Sequence, residues 1–295
     1  MPINVNNITI FTICLCCSLG AISNSTTDTV VHYRDIEPYH TAILQAALEG
    51  TREEFGSYTL APTKRIFPPL RIMHEVVSGR NLNVFFAPAL RQFSKEELIT
   101  IPIPLFKGLT GYRILLIRKG EQARFSQITE LPQLKDIVFG QPFGWIDTLI
   151  MSDNQLKVIT SPELPLLYPM LKIGRVDAIA RSAHRIQNYL SHPELGEFQS
   201  IESDLVLYYS MPQLLFVSAN EPELAQRLHI GLEKMTNNGE MDRLFYLHFG
   251  ELIKELRLNE RRVFQIENTQ LMDGIPIGFQ EFRVDPTENP PIQEE

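Results

Sequence analysis

Four consecutive apolar residues, Ile114 to Ile117, stand inside "GYRILLIRKG". A strand with one wet face alternates polar and apolar side chains, so an unbroken run marks a strand covered on both faces. That demands helices above and below it. The surrounding pattern supplies them. "HTAILQAALEGTREEFG" carries Ile43, Ala46, Ala47 and Phe55 on one helical face with Gly56 as a stop, and "FPPLRIMHEVVSG" reads as a helix after its prolines. "SYTLAP" and "NLNVFFA" read as strands between them. "LKDIVFG", "LKVITS" and "RVDAIAR" repeat the strand pattern, with helices from Thr148 and over "LPLLYPMLKIG". Strands alternating with helices predict α/β architecture with parallel layers. The end is helical: Leu224, Leu228, Leu232 and Met235 keep helical spacing before Asn238-Gly239, and "EMDRLFYLHFG" continues, before a last strand in "RRVFQIEN".

The chain has 295 residues, 44% hydrophobic and 21% charged, enough apolar material for about two domains. Its net charge is −8, and the basic residues are scattered among acids. That argues against a nucleic-acid partner, which needs clustered Lys and Arg. Residues 1–27 carry no charge, and "ITIFTICLCCSLGAI" is an apolar run too short to span a membrane. It fits the core of a signal peptide over 1–23, with Ala21-Ile22-Ser23 as a cleavage site, although no Lys or Arg precedes it. Cys14, Cys16 and Cys17 all lie inside this segment, so the mature chain would have no disulfide, thiolate metal site or cysteine nucleophile. Residues 273–295 turn to Pro and acid, a composition expected to stay disordered.

"VFGQPFGWIDTLIM" places a strand, a loop with Gly140, Pro142 and Gly144, and a helix start in succession. Such a corner leaves backbone N–H groups free at a helix N-terminus, which suits an anion. No phosphate-binding loop, nucleotide-binding glycine motif or nucleophile elbow occurs, and the seven histidines show no metal-ligand spacing. No cofactor and no metal are expected.

The segments "LPQLKDIVFGQPFGW", "LLYPMLKIGRVDAIA" and "NEPELAQRLHIGLEKMTNNGEMDRLFYLHFG", in that order, resemble the bacterial extracellular solute-binding proteins of family 3, the periplasmic amino-acid-binding type. The resemblance is strongest over about residues 105–260. It implies a type 2 periplasmic-binding-protein fold, two α/β lobes joined by two hinge crossings. The first lobe would take residues 28–107 and return over 212–272, and the second would take 108–211. The resemblance further implies a periplasmic monomer that closes on a small-molecule ligand and serves an inner-membrane permease or sensor.

By the same resemblance the corner residues Gly144, Trp145, Asp147 and Thr148 would face the ligand's carboxylate. Asp147 is also a good helix N-cap in its own right, and Trp145 is either a stacking wall or a bridge from loop to core. The family's ammonium-binding acid falls on Arg181 or Ser182, neither of them acidic. That points to an acid, a polar solute that is not an amino acid, or an altered site, rather than an ordinary α-amino acid. The carboxylate-clamping Arg would be Arg91 or Arg113, the latter alternatively an ion pair across the lobes. Tyr33, Phe85, Phe86 and Tyr112, at strand ends, are candidate aromatic walls or core residues. Two other readings stay open: a degenerate relative acting through protein contacts, and a dehydratase-like enzyme on the same fold with Asp147 or Glu97 as its acid.

Overall fold

The computed structural model describes residues 28–65, 67, 69–186 and 197–275. The expected signal segment, its three cysteines and all but the first three residues of the expected tail lie outside the described residues. Among the described residues no helix is long and apolar enough to cross a membrane.

In the first lobe β1 (Thr29–Arg34) runs parallel to β2 (Tyr58–Thr63), with α1 (Pro38–Glu49) and α2 (Arg52–Phe55) between them. The single expected helix breaks at Gly50-Thr51, where the Gly50 N–H closes α1 onto Ala46. After α3 (Pro69–Val77), β3 (Val84–Pro88) and β4 (Leu98–Ile101) flank a later strand, β11 (Gln213–Ser218), both antiparallel to it. Asn83 joins these two sheets. Its side chain accepts from the His32 N–H and donates to Val30 O, each at 2.8 Å, and its own N–H donates to His32 O. One side-chain amide therefore continues the ladder where the backbone of β3 has not yet begun.

The second lobe is one mixed sheet. β5 (Tyr112–Arg118) pairs antiparallel with β8 (Ala178–Ser182), β9 (Gln199–Ile201) and β10 (Leu205–Tyr208). β6 (Val138–Pro142) lies parallel to both β8 and β7 (Lys157–Ser161). The purely parallel layering expected from the alternation fails at β5, which enters from the hinge and runs against its neighbours. As its apolar run requires, Ile114–Ile117 is buried throughout. Helices α4 (Gln122–Ser126), α5 (Ile146–Asp153) and α6 (Leu167–Lys172) complete this lobe.

The chain returns to the first lobe through β11, α7 (Pro222–Asn237) and α8 (Glu240–Glu255). Leu224, Leu228, Leu232 and Met235 are buried as their spacing predicts. Gly231 lies against α1 so closely that a Cβ would sit 2.2 Å from Ala47 O. The last strand, β12 (Arg262–Gln265), pairs parallel with β10 in the second lobe's sheet, not with the first-lobe return to which 212–272 was assigned. A four-residue strand is defined by its ladder partner, which local sequence does not specify. The sequence reading also leaves out β4, β9, β10 and β11. The core runs through both lobes by way of Leu105, Phe106 and Leu109 at the first hinge crossing.

Candidate functional site

The strand–loop–helix corner forms as expected, with Gly144 at φ +77°, a conformation that favours glycine. The helix begins at Ile146, two residues before Thr148, and its N-cap is Trp145. Asp147 is therefore not the cap. It lies in the first turn, where a carboxylate still favours the helix dipole. The Thr148 hydroxyl turns back to Pro142 O at 3.1 Å and so closes the loop.

Asp147 has two strong partners. Arg113 Nε donates to its Oδ1 at 2.6 Å, and the Tyr209 hydroxyl donates to the same oxygen. Arg113 is 2% exposed, its guanidinium carbon 4.4 Å from the Tyr209 ring centroid. Burial pushes the Asp147 carboxyl up, but the Arg113 charge and the Tyr209 hydrogen bond outweigh it and hold the carboxyl below its usual range. Arg113 also donates to Thr110 O, and Thr110 Oγ1 donates to Met211 O. The guanidinium thus fastens both hinge crossings to the corner. The pair lies within the second lobe and its hinge, not across the lobes, because Arg113 is the second residue of β5 and Asp147 is in α5.

Trp145 is 41% exposed and lies under Arg181, whose guanidinium carbon is 4.8 Å from the indole centroid. The Ser182 hydroxyl donates to Thr110 O at 3.2 Å and meets His184 Nδ1 at 2.7 Å. Since Arg185 Nε donates to His184 Nε2 at 3.1 Å, the neutral imidazole carries its proton on Nδ1. Burial, then Arg185, Arg113 and other charges, holds His184 well below its ordinary value.

A second group of residues meets where the lobes touch. Arg185, following β8, pairs with Glu37, which precedes α1, at 2.9 Å. Phe106 lies 5.5 Å from the His184 ring, centroid to centroid. His40 stacks flat on Phe86 at 3.9 Å and meets Phe106 edge-on. His40 is 3% exposed, and neither ring nitrogen has a hydrogen-bond partner. Glu37 Oε2 is likewise buried without a partner. Burial, with Arg185 adding, pushes His40 down to about 3. Burial raises the Glu37 carboxyl against the opposing pull of Arg185.

Other candidates lie elsewhere. Phe85 is core, stacked on Phe216 at 5.0 Å. Tyr112 is buried edge-on against Tyr208, and Tyr33 is buried with its hydroxyl on Thr41. Arg91 is on the surface, paired with Asp273 at 3.3 Å. For the three aromatics side-chain alternation along each strand set the outcome, turning them into the sheet packing, whereas Arg91 opens a short 3-10 turn that faces solvent. Among the described residues no group of His, Cys, Asp or Glu could hold a metal ion.

No protein-family model matches the sequence, and no curated protein matches it. Solved structures do. An ancestral arginine-binding protein bound to glutamine aligns at 18% identity over 76% of this chain and 99% of its own, with a TM-score of 0.50. The second substrate binding domain of a protein assigned as an amino acid ABC transporter, from Streptococcus pneumoniae, aligns at 14% identity over 75% and 99%, TM-score 0.50. The VFT2 domain of Bordetella pertussis BvgS aligns at 14% over 75% and 92%, TM-score 0.50. The fold is that of a two-lobe periplasmic binding protein.

Within that binding-protein fold the sequence reading finds the corner and the residues Arg113, Arg181 and Ser182 that surround it. It misses Tyr209, Glu37, His40, His184 and Arg185. Glu37 had one local signal, its place directly before a helix that opens on Pro38. Tyr209 reaches Asp147 within the second lobe, from a strand end far along the chain, and His40 meets the His184–Arg185 pair only through the meeting of the lobes.

Proposed function

We propose that this protein is a solute-binding protein whose lobes close over a small polar ligand, anionic or amino-acid-like, at the seam between α1 and the end of β8. One observation carries the reading: both ring nitrogens of His40 and Oε2 of Glu37 are buried there without hydrogen-bond partners. A buried polar atom left unpaired costs about 1–3 kcal/mol, and such atoms gather where a ligand supplies the missing bond. Arg185, Arg181 and Arg113 all depress the neighbouring His184, so the seam favours added negative charge. Glu37 offers an acceptor to a ligand's N–H or ammonium group. The fold supports a binding role, and so does the chemistry, since the groups at the seam can hold a solute without transforming it. Export through the N-terminal segment, a monomeric state and service to an ABC-type permease or a membrane sensor complete this reading.

A second reading has its own observation. Asp147 already supplies a carboxylate to Arg113, and Glu37 already pairs with Arg185. A chain so satisfied could hold its lobes together without solute and act through protein contacts.

A thermal-shift screen of the folded protein against amino acids, dicarboxylates and sugar acids separates the two. A solute at 100 times its dissociation constant adds about 2.7 kcal/mol, a rise of about 5–10 °C for a chain of this size. A flat screen on protein free of co-purified solute favours the second reading.

A further inference from the structure

The chain passes between the lobes more often than a two-crossing hinge requires. It leaves α8 in the first lobe, adds β12 to the second lobe's sheet and then comes back. The returning stretch is fastened at three places. On the second lobe, Asn154 at the end of α5 donates to Glu267 O at 2.8 Å and accepts from its N–H at 3.2 Å. Beside it, Thr269 Oγ1 and Gln270 Nε2 both donate to Asp153 Oδ2. At the second hinge crossing, Asn268 Nδ2 donates to Ser210 O at 2.7 Å. On the first lobe, Arg91 N–H donates to Gln270 O at 3.0 Å, Met272 N–H donates to Ala89 O at 2.9 Å, and Leu271 bridges Leu90. Arg91 closes the arrangement on Asp273.

We infer that residues 267–273 are a brake on the hinge, a strap clipped to both lobes that holds them in the arrangement with the seam shut. From Glu267 to Met272 the chain spans at most about 18 Å when fully extended. Its anchors on α5 and on Ala89–Arg91 belong to bodies that must rotate relative to one another when the cleft opens. The Ser210 bond pins the middle of the strap to the hinge, so little slack remains. One end must let go. The first-lobe end is held by backbone bonds and by the buried Met272 side chain. On the second lobe the backbone anchor ends at Ile266, whose N–H donates to Tyr208 O at 2.9 Å, and beyond it the strap is clipped to α5 only through the side chains of the solvent-exposed Asp153 and of Asn154. Asp153 and Asn154 are the release point.

The strap stands whether or not a solute binds, so its test needs none. Small-angle scattering of the full chain, solute-free, gives the radius of gyration of the unaltered protein, about 19 Å for a compact chain of this length. Two variants are compared with it, both checked for a native far-ultraviolet spectrum. One is the double substitution Asp153→Ala with Asn154→Ala, which removes the release-point bonds. The other inserts three glycines between Gln270 and Leu271, which gives up the Arg91–Gln270 bond and lengthens the strap ahead of the Leu271–Met272 clip. Both radii should shift upward, and in the double variant the Arg91 and Met272 amides should stay protected from hydrogen exchange. Folded variants that keep the unaltered radius overturn the inference. So does loss of protection at Arg91 and Met272 with the radius unchanged, since the strap would then have detached without freeing the lobes.

Discussion

Arg113 and Asp147, 34 positions apart in sequence, are joined by a 2.6 Å hydrogen bond between two almost fully buried charges. The corner that suits an incoming carboxylate therefore has one of its own. Removing one partner of a buried pair leaves the other charge uncompensated. Asp147→Ala should cost about 3–5 kcal/mol in urea denaturation. Pairing Asp147→Leu with Arg113→Met should recover much of that loss, because no charge is then stranded. The Asp147 carboxyl is held below its unfolded value of 3.8, so its contribution is fully present above that value. It is lost as pH falls through the lower folded value.

His40 and His184 act at milder acidity. Both are held neutral in the folded state and carry protons more readily once unfolded. The unfolded chain then binds more protons below the ordinary histidine value, and stability falls with falling pH. The expected slope between about pH 5 and 6.5 approaches 1.4 kcal/mol per pH unit for each group. Glu37, raised from 4.5, works in the opposite direction and closer to that value. His40→Phe should remove about half of the histidine slope, as read from denaturation curves at a series of pH values.

Glu37→Gln and Arg185→Gln each remove one charge from the seam. For any solute found in the screen, each substitution should weaken binding at least tenfold, or about 1.4 kcal/mol, by calorimetric titration. Phe85→Leu, buried in the first-lobe core, should leave affinity unchanged while lowering stability.

The contact of α1 with α7 should tolerate little. Gly231→Ala would drive a methyl into the Ala47 carbonyl. Arg227, with no exposed surface, donates to Leu48 O and Gly56 O at 3.2 and 2.8 Å and to the Thr29 and Thr51 hydroxyls. Arg227→Met strands those acceptors and should cost at least about 3 kcal/mol, whereas Gly231→Ala should cost about 1–3 kcal/mol or more. Both are read from the midpoint of thermal unfolding.

What the sequence made legible was periodic or continuous. The apolar run of β5, the four-residue spacing of α7 and the corner at Gly144 each carry their signal within a few residues. β10 and β11 carry it too, in "LVLY" between Asp204 and Ser210 and in "QLLFVS" between Pro212 and Asn220, and the sequence reading leaves both out. The site divides along the same line. Trp145 and Asp147 belong to one turn and could be read from it. The meeting of Glu37 with Arg185 depends on how two lobes face one another, and no local pattern encodes that. Arg91 and Phe85 show the converse: a suitable residue type, placed by its strand or helical turn away from the seam.

Trp145 has one more consequence. It is the chain's sole tryptophan, it caps α5, and a guanidinium lies over its ring. All indole emission from this protein thus originates at the corner, beside the Arg113–Asp147 pair and within reach of the hinge. Nature has labelled the molecule at one point, with a fluorophore half open to quencher, and any rearrangement of Arg181 or of the first turn of α5 is written directly into its spectrum.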